Sequence, residues 1–119
     1  MSARATFKEQ HAMSKRMDVS KKILEKYPDR IPVIVEKMPK SDVPEIEKKK
    51  FLVPVDITVG RFAHEIRKHM QTFNPEKALY LFVNNVLPPT AALMSQIYHQ
   101  YKDEDGFLYI KYAGETTFG

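Results

Sequence analysis

The chain has 119 residues, 43% of them hydrophobic, and a formal net charge of +4. That is room for one domain with a real core, which excludes wholesale disorder and a pair of ordinary domains. The absence of cysteine excludes disulfides, thiolate metal sites and a Cys nucleophile, so any thioester chemistry must use another protein's thiol. The apolar run Ala78 to Val83 has a strand's length, far short of a membrane span. The charged N-terminus lacks a signal-peptide core, and a soluble cytoplasmic protein is expected. Residues 1–30 hold eight Lys/Arg against four Asp/Glu, while the remainder is balanced at eleven against eleven. A basic segment of this kind favours acidic partners, although most such segments are simply solvated faces.

In chain order, residues 1–26 contain no Gly or Pro and read as helical, with Met13, Met17, Ile23 and Leu24 forming a thin apolar stripe. Tyr27-Pro28 ends that segment, because the residue before proline is pushed out of the α region. Ile31 to Met38 is rich in β-branched residues and reads as a strand. Ile31, Val33 and Val35 share one face, and the other carries Pro32 and Ile34, more apolar than a solvated face requires. Lys50 to Val55 is a second strand, and Pro54, which cannot donate to a ladder, places it at a sheet edge or strand end.

Thr58 is an N-cap candidate for a helix from Val59 to about Met70, with Val59, Phe62, Ala63, Ile66 and Met70 on one face. Leu79 to Val83 reads as a buried strand followed by an Asn84-Asn85 turn. Pro88-Pro89-Thr90 is expected to open another helix, with Leu93, Met94, Ile97, Tyr98 and Tyr101 inward. Asp103 to Gly106 is an acidic turn, and Phe107 to Tyr112 is the last strand. Helices followed by β-β-α-β-α-β is the order of a ubiquitin-like β-grasp, an α+β fold.

Enzyme chemistry finds no support in these residues. His64-Glu65-Ile66-Arg67-Lys68-His69 superficially resembles a zinc motif, but its histidines stand five apart rather than the four that share a helix face. Four glycines make no phosphate-cradling loop. No metal, cofactor or catalytic residue is expected, and no nucleic acid, since the basic helices carry no aromatic stacking platform. The C-terminal Gly119 can thread a narrow enzyme tunnel, having no Cβ. A tail ending there suits a chain that is itself joined to an amine, or it is merely where the sequence stops.

Four blocks in order carry a resemblance: Lys26 to Lys37, Lys48 to Pro54, Phe82 to Thr90, and Gly106 to Ile110 with Phe118-Gly119. Together they resemble the autophagy ubiquitin-like modifiers, the group containing GABARAP and the microtubule-associated light chain three, over about residue 7 to the end. The resemblance implies a β-grasp with two added N-terminal helices: a helical extension over 1–28, the domain over 29–115 and a conjugation tail over 116–119. It also implies that a cytosolic activating enzyme takes up Gly119 and that conjugating-enzyme thioesters pass it to phosphatidylethanolamine on the autophagosome membrane. In relatives a cysteine protease trims residues beyond the glycine and later releases the lipid.

The second implied function is capture of aromatic-x-x-aliphatic motifs of cargo receptors as an added strand on the Lys50–Val55 edge. By the same resemblance, Ile23, Pro32, Ile34, Lys50, Leu52 and Phe107 form the aromatic pocket. Phe51, Val53, Pro54, Ile57, Phe62 and Ile66 form the aliphatic one. Read from the residues alone, Phe62 and Ile66 are equally core positions. Arg30, Lys48 and Lys49 are placed to meet acidic residues flanking such motifs, or form a solvated charge run with Lys50. The chain departs from the pattern at Val19, His64, Glu65 and His69, and in a Gln71–Lys77 loop one residue longer. The alternative function is an adaptor that uses the groove without being conjugated.

Overall fold

The computed structural model describes residues 5–70 and 77–115; Gly119 and most of the Gln71–Lys77 loop lie outside them. Strand β1 (Arg30–Lys37) pairs antiparallel with β2 (Lys50–Pro54) and parallel with β4 (Leu108–Ala113), which pairs antiparallel with β3 (Tyr80–Phe82). The order β2-β1-β4-β3 puts β1 and β4 at the centre and leaves β2 at one edge. This mixed sheet with its helices is the ubiquitin-like β-grasp that the element order implies.

Pleating sorts the apolar residues onto two faces. Ile31, Val33 and Val35 of β1 join Leu108, Ile110 and Tyr112 of β4 in the main core. Helices α3 (Val59–Arg67) and α4 (Met94–Tyr101) cover that core with Phe62, Ile66, Met94, Ile97 and Tyr98. The Thr58 hydroxyl accepts the Arg61 N–H at 3.1 Å and caps α3, as its sequence position predicts.

The helical segment over 1–26 consists of two helices, as the resemblance implies: α1 (Phe7–Gln10) and α2 (Met13–Lys26), separated at His11-Ala12. Thr6 and Glu9 exchange side-chain-to-backbone bonds in a capping box that starts α1. The expected apolar stripe also shifts: Met17 is 48% exposed, and Arg16 and Ser20 are the buried residues of α2. They are buried because α1 and α2 cover the second face of the sheet, where Ile34 and Phe107 lie completely enclosed. Phe7 meets Phe107 edge-on at 5.3 Å.

That second face is held by polar anchors. Arg16 Nη1 donates to Asp105 Oδ2 at 2.6 Å, and Asp105, 1% exposed, also accepts from the Tyr109 hydroxyl and the Phe107 N–H. The Ser20 hydroxyl donates to the Asp105 carbonyl at 2.5 Å. The following Gly106 has φ +89° and sits so close to Ser20 that a Cβ there would collide with its hydroxyl. Burial, then the bond to Asp105, pushes the Tyr109 phenol above its ordinary range. Lys8 reaches Asp103 at 2.6 Å. Burial raises the Asp103 carboxyl, but its hydrogen bonds from Lys8 and the Asp105 N–H outweigh that and hold it below the ordinary carboxylate value. A depressed carboxylate contributes stability above its unfolded pKa and loses it as pH falls through the folded one, so this anchor persists at neutral pH.

The last helix starts later than expected, at Met94, with Leu93 37% exposed. The Thr90 and Ala92 carbonyls accept the Gly60 and Val59 N–H groups at 3.0 and 2.9 Å. Residues 90–92 thereby cap the first turn of α3 and are held out of a helix of their own. Asn84 and Asn85 at φ 50° and 63° form the expected turn, closed by reciprocal Val83–Val86 bonds.

Removing Asp105 takes the shared carboxylate from a buried guanidinium and a half-buried phenol. Asp105→Ala is therefore expected to lower the unfolding free energy by about 3 kcal/mol in urea titrations.

Candidate functional site

Alternation in an antiparallel pair decides which groups β2 leaves free. The Lys49 carbonyl accepts from Val35 N–H at 2.8 Å, and Val55 N–H donates to the Asp29 carbonyl at 3.1 Å. Odd-numbered residues of β2 thus bond inward to β1, and Lys50, Leu52 and Pro54 present their backbone outward. Proline has no N–H, so the free edge offers both ladder groups at Lys50 and Leu52 and ends at Pro54. The Leu52 carbonyl already accepts the Arg30 guanidinium at 3.2 Å.

Below this edge, between β2 and α3, lies an open hollow of about 300 Å³. Phe51, Leu52, Val53, Pro54, Ile57 and Phe62 form its apolar wall, and Arg30, Lys48, Arg61, Glu65 and His69 its polar rim. Phe51 meets Phe62 edge-on at 5.6 Å and His69 at 5.4 Å, with Lys48 Nζ 4.8 Å above its ring. Glu65 accepts from Lys68 at 3.3 Å and Arg61 at 3.4 Å, and the Lys68 bond leads in holding its carboxyl below the usual range.

Of the residues assigned to an aliphatic pocket, five line this hollow, while Ile66 is fully enclosed in the core and is not among the lining residues. Phe51, Val53 and Phe62 do both jobs: they belong to the core and show an edge to the hollow. Of the residues assigned to an aromatic pocket, Leu52 lines this same hollow, and the others are not among its lining residues. Pro32 pairs with Leu52 and Ile34 with Lys50 across the β1–β2 ladder. Pro32, Ile34 and Phe107 are buried, Ile23 and Leu52 half-buried, and Lys50 exposed. Lys49 turns away from the hollow to Glu36 at 3.7 Å and the Ala5 carbonyl at 3.1 Å, tying down the N-terminal segment.

Arg61 is a rim residue that sequence reasoning missed. Arg61, Glu65 and His69 recur every four residues, one row beside the Phe62/Ile66 apolar row, and that spacing was the available signal.

Comparisons with known proteins decide the family. The sequence model described as "Autophagy protein Atg8 ubiquitin like" matches residues 15–119. The chain belongs to the Atg8 ubiquitin-like family. It is 66% identical to Autophagy-related protein 8 of Dictyostelium discoideum over 97% of this chain and 94% of that protein. With Autophagy-related protein 8d of Arabidopsis thaliana the identity is 58% over 97% and 95%. Among solved structures, Trypanosoma brucei ATG8 superposes with a TM-score of 0.89 at 45% identity, covering 98% of this chain and all of that one. Plasmodium falciparum Atg8, solved in complex with a peptide of Plasmodium falciparum Atg3, gives 0.86 at 40% identity over 97% and 100%. The chain is thus an autophagy protein of the ubiquitin-like modifier type. Among its described residues no helix is long and apolar enough to cross a membrane.

The two adjacent edge residues separate packing from recognition. Phe51→Ala is expected to cost about 3 kcal/mol or more of stability because it opens a core cavity, and Leu52→Ala about 1 kcal/mol, by urea unfolding.

Proposed function

We propose that this Atg8-family chain is conjugated through Gly119 to phosphatidylethanolamine and captures aromatic-x-x-aliphatic motifs by strand addition at β2. The observation that carries the second half is the juxtaposition of a free strand edge with apolar side chains on either side of it. An extended peptide paired to Lys50 and Leu52 sends alternate side chains to opposite faces. One goes up toward the half-buried Ile23, beneath which Pro32, Ile34 and Phe107 are enclosed and contribute through the scaffold, the other down into the hollow of Phe51, Val53, Pro54, Ile57 and Phe62. Acidic residues flanking the motif meet Arg30 and Lys48 at the rim, which tunes association rate and salt dependence more than affinity. Lys49, held by Glu36 and the Ala5 carbonyl, and Ile66, enclosed in the core, contribute through the scaffold.

In this reading the three segments have separate duties: the two helices of the 1–28 extension cover the second sheet face, 29–115 present the edge, and 116–119 carry the reactive carboxylate. The chain has no thiol, so the activating and conjugating enzymes supply the cysteines on which the Gly119 acyl group travels. The lipid amine then displaces the last enzyme thiol and forms an amide. A diacyl lipid buries enough CH₂ groups, at about 0.8 kcal/mol each, to hold a small domain on a membrane. The protein therefore moves from the cytoplasm to the autophagosome surface, and a cysteine protease reverses the step. The Plasmodium relative, solved with a peptide of Atg3, supports a conjugating enzyme as one occupant of a peptide site; cargo receptors are the others.

Two experiments test the two halves. Gly119→Ala is expected to abolish the electrophoretic shift seen on incubation with activating enzyme, conjugating enzyme, ATP and phosphatidylethanolamine liposomes, with an unchanged circular dichroism spectrum. Persistence of the shift in Gly119→Ala would sink the attachment site, and its absence in the unmodified chain alongside intact peptide binding would favour the non-conjugated adaptor. Leu52→Ala should weaken a labelled aromatic-x-x-aliphatic peptide by about ten-fold in fluorescence anisotropy. Equal affinity of the two proteins would remove β2 as the docking edge.

A further inference from the structure

Attachment through Gly119 requires the chain to leave the domain at a defined place, and this inference rests on the attachment reading. Gly114 directly follows β4. Its N–H donates to the Ser41 hydroxyl oxygen at 3.2 Å, and Ser41 is buried. A Cβ at Gly114 would stand only 2.8 Å from Val43 Cγ1. Val43 belongs to the core, and a β-branched side chain is stiff at χ1, so it cannot swing aside cheaply. Only glycine fits this approach.

The surface beneath Gly114 is itself braced. Met38 N–H donates to the Tyr112 carbonyl at 2.9 Å, and Ser41 N–H to the Met38 carbonyl at 3.1 Å. Lys37 Nζ donates to the carbonyls of Met38 and Ser41 at 3.1 and 2.6 Å. Further along, the Tyr112 hydroxyl accepts the Ile46 N–H at 3.0 Å and donates to the Pro44 carbonyl at 3.1 Å. Residues 38–46 of the β1–β2 connection thus form a saddle bonded to the end of β4, and Gly114 rests in it. Ser41, Val43 and Gly114 do not line the hollow beneath β2, so this saddle is separate from the peptide edge.

We propose that Gly114 is a positioning residue for attachment: seated on Val43 and bonded to Ser41, it fixes the point from which the chain runs on to Gly119. Gly119 stands five residues beyond it, a span of at most about 17 Å. An enzyme that holds the domain therefore has little slack with which to absorb a displaced root. At the activating enzyme the Gly119 carboxylate attacks the α-phosphorus of ATP and expels pyrophosphate, and the enzyme's thiolate then displaces AMP to form the thioester. A Cβ at position 114 shifts the root, and a misplacement of about 1 Å at a reacting atom costs rate rather than affinity.

The test is the rate of thioester formation with activating enzyme and ATP over a range of concentrations of this chain, well below its unfolding temperature. Gly114→Ala is expected to lower kcat about five- to ten-fold with KM changed less than about two-fold. Val43→Ala in the same chain removes the colliding methyl and should return kcat to within about two-fold of the original. Lost core packing cannot produce that recovery, because Val43→Ala takes further methyl groups out of the core. An unchanged kcat in Gly114→Ala, or a defect that Val43→Ala leaves unrelieved, overturns the proposal. Should Gly114→Ala fail to fold, Ser41→Ala carries the test without adding bulk: kcat is expected to fall about two- to three-fold, and an unchanged value overturns the proposal. If the unsubstituted chain forms no thioester, the attachment reading falls and the role of Gly114 falls with it, whereas a defect confined to the variants leaves that reading standing.

Discussion

The parallel pairing of β1 with β4 is the constraint from which most of this structure follows. It sets Val33 beside Leu108 and Lys37 beside Tyr112, residues well over half the chain apart. A strand paired on both sides has no free backbone, so β1 satisfies its polar groups within the sheet and can be apolar on both faces. One face becomes the main core under α3 and α4. The other needs a cover, and α1 and α2 supply it. Because β4 takes one flank of β1, β2 takes the other and ends the sheet.

The N-terminal helices are attached chiefly by specific polar bonds rather than by a continuous apolar stripe. Arg16 to Asp105, Ser20 to the Asp105 carbonyl, Lys8 to Asp103 and the Phe7 N–H to Glu36 all cross from these helices to the domain. Such bonds fix orientation sharply, since a buried charge tolerates no lateral slip without losing its partner. The Arg16–Asp105 bond closes a distance of 89 residues and joins the α2 surface to the turn leading into β4. In doing so it holds the cover over Ile34 and Phe107, both fully enclosed.

At the edge itself, stability and recognition share residues. Phe51, Val53 and Phe62 are core side chains whose outer rims line a hollow, and β2 exposes its backbone only where the alternation turns it outward, at Lys50 and Leu52. A docking strand therefore needs little rearrangement of the backbone it joins. Around the hollow Arg61 and Lys68 share Glu65, and Arg30 and Lys48 add further cations at the rim.

The sequence by itself determined the element order, the Thr58 cap, the Asn84-Asn85 turn and the edge character of the Pro54 strand, and its motif blocks already indicated the family. These are local: each depends on φ/ψ preferences, missing N–H groups or apolar spacing within a few residues. Tertiary structure alone decided where the N-terminal helix breaks, that Met17 faces water while Arg16 is buried, and that residues 90–92 cap α3 instead of starting α4. It also decided which pocket residues are enclosed and which reachable, separating Ile66 from Phe62 and turning Lys49 away from the hollow. In each of these a partner distant in sequence supplies the hydrogen bond or the covering surface, and its position is set only once the chain has folded.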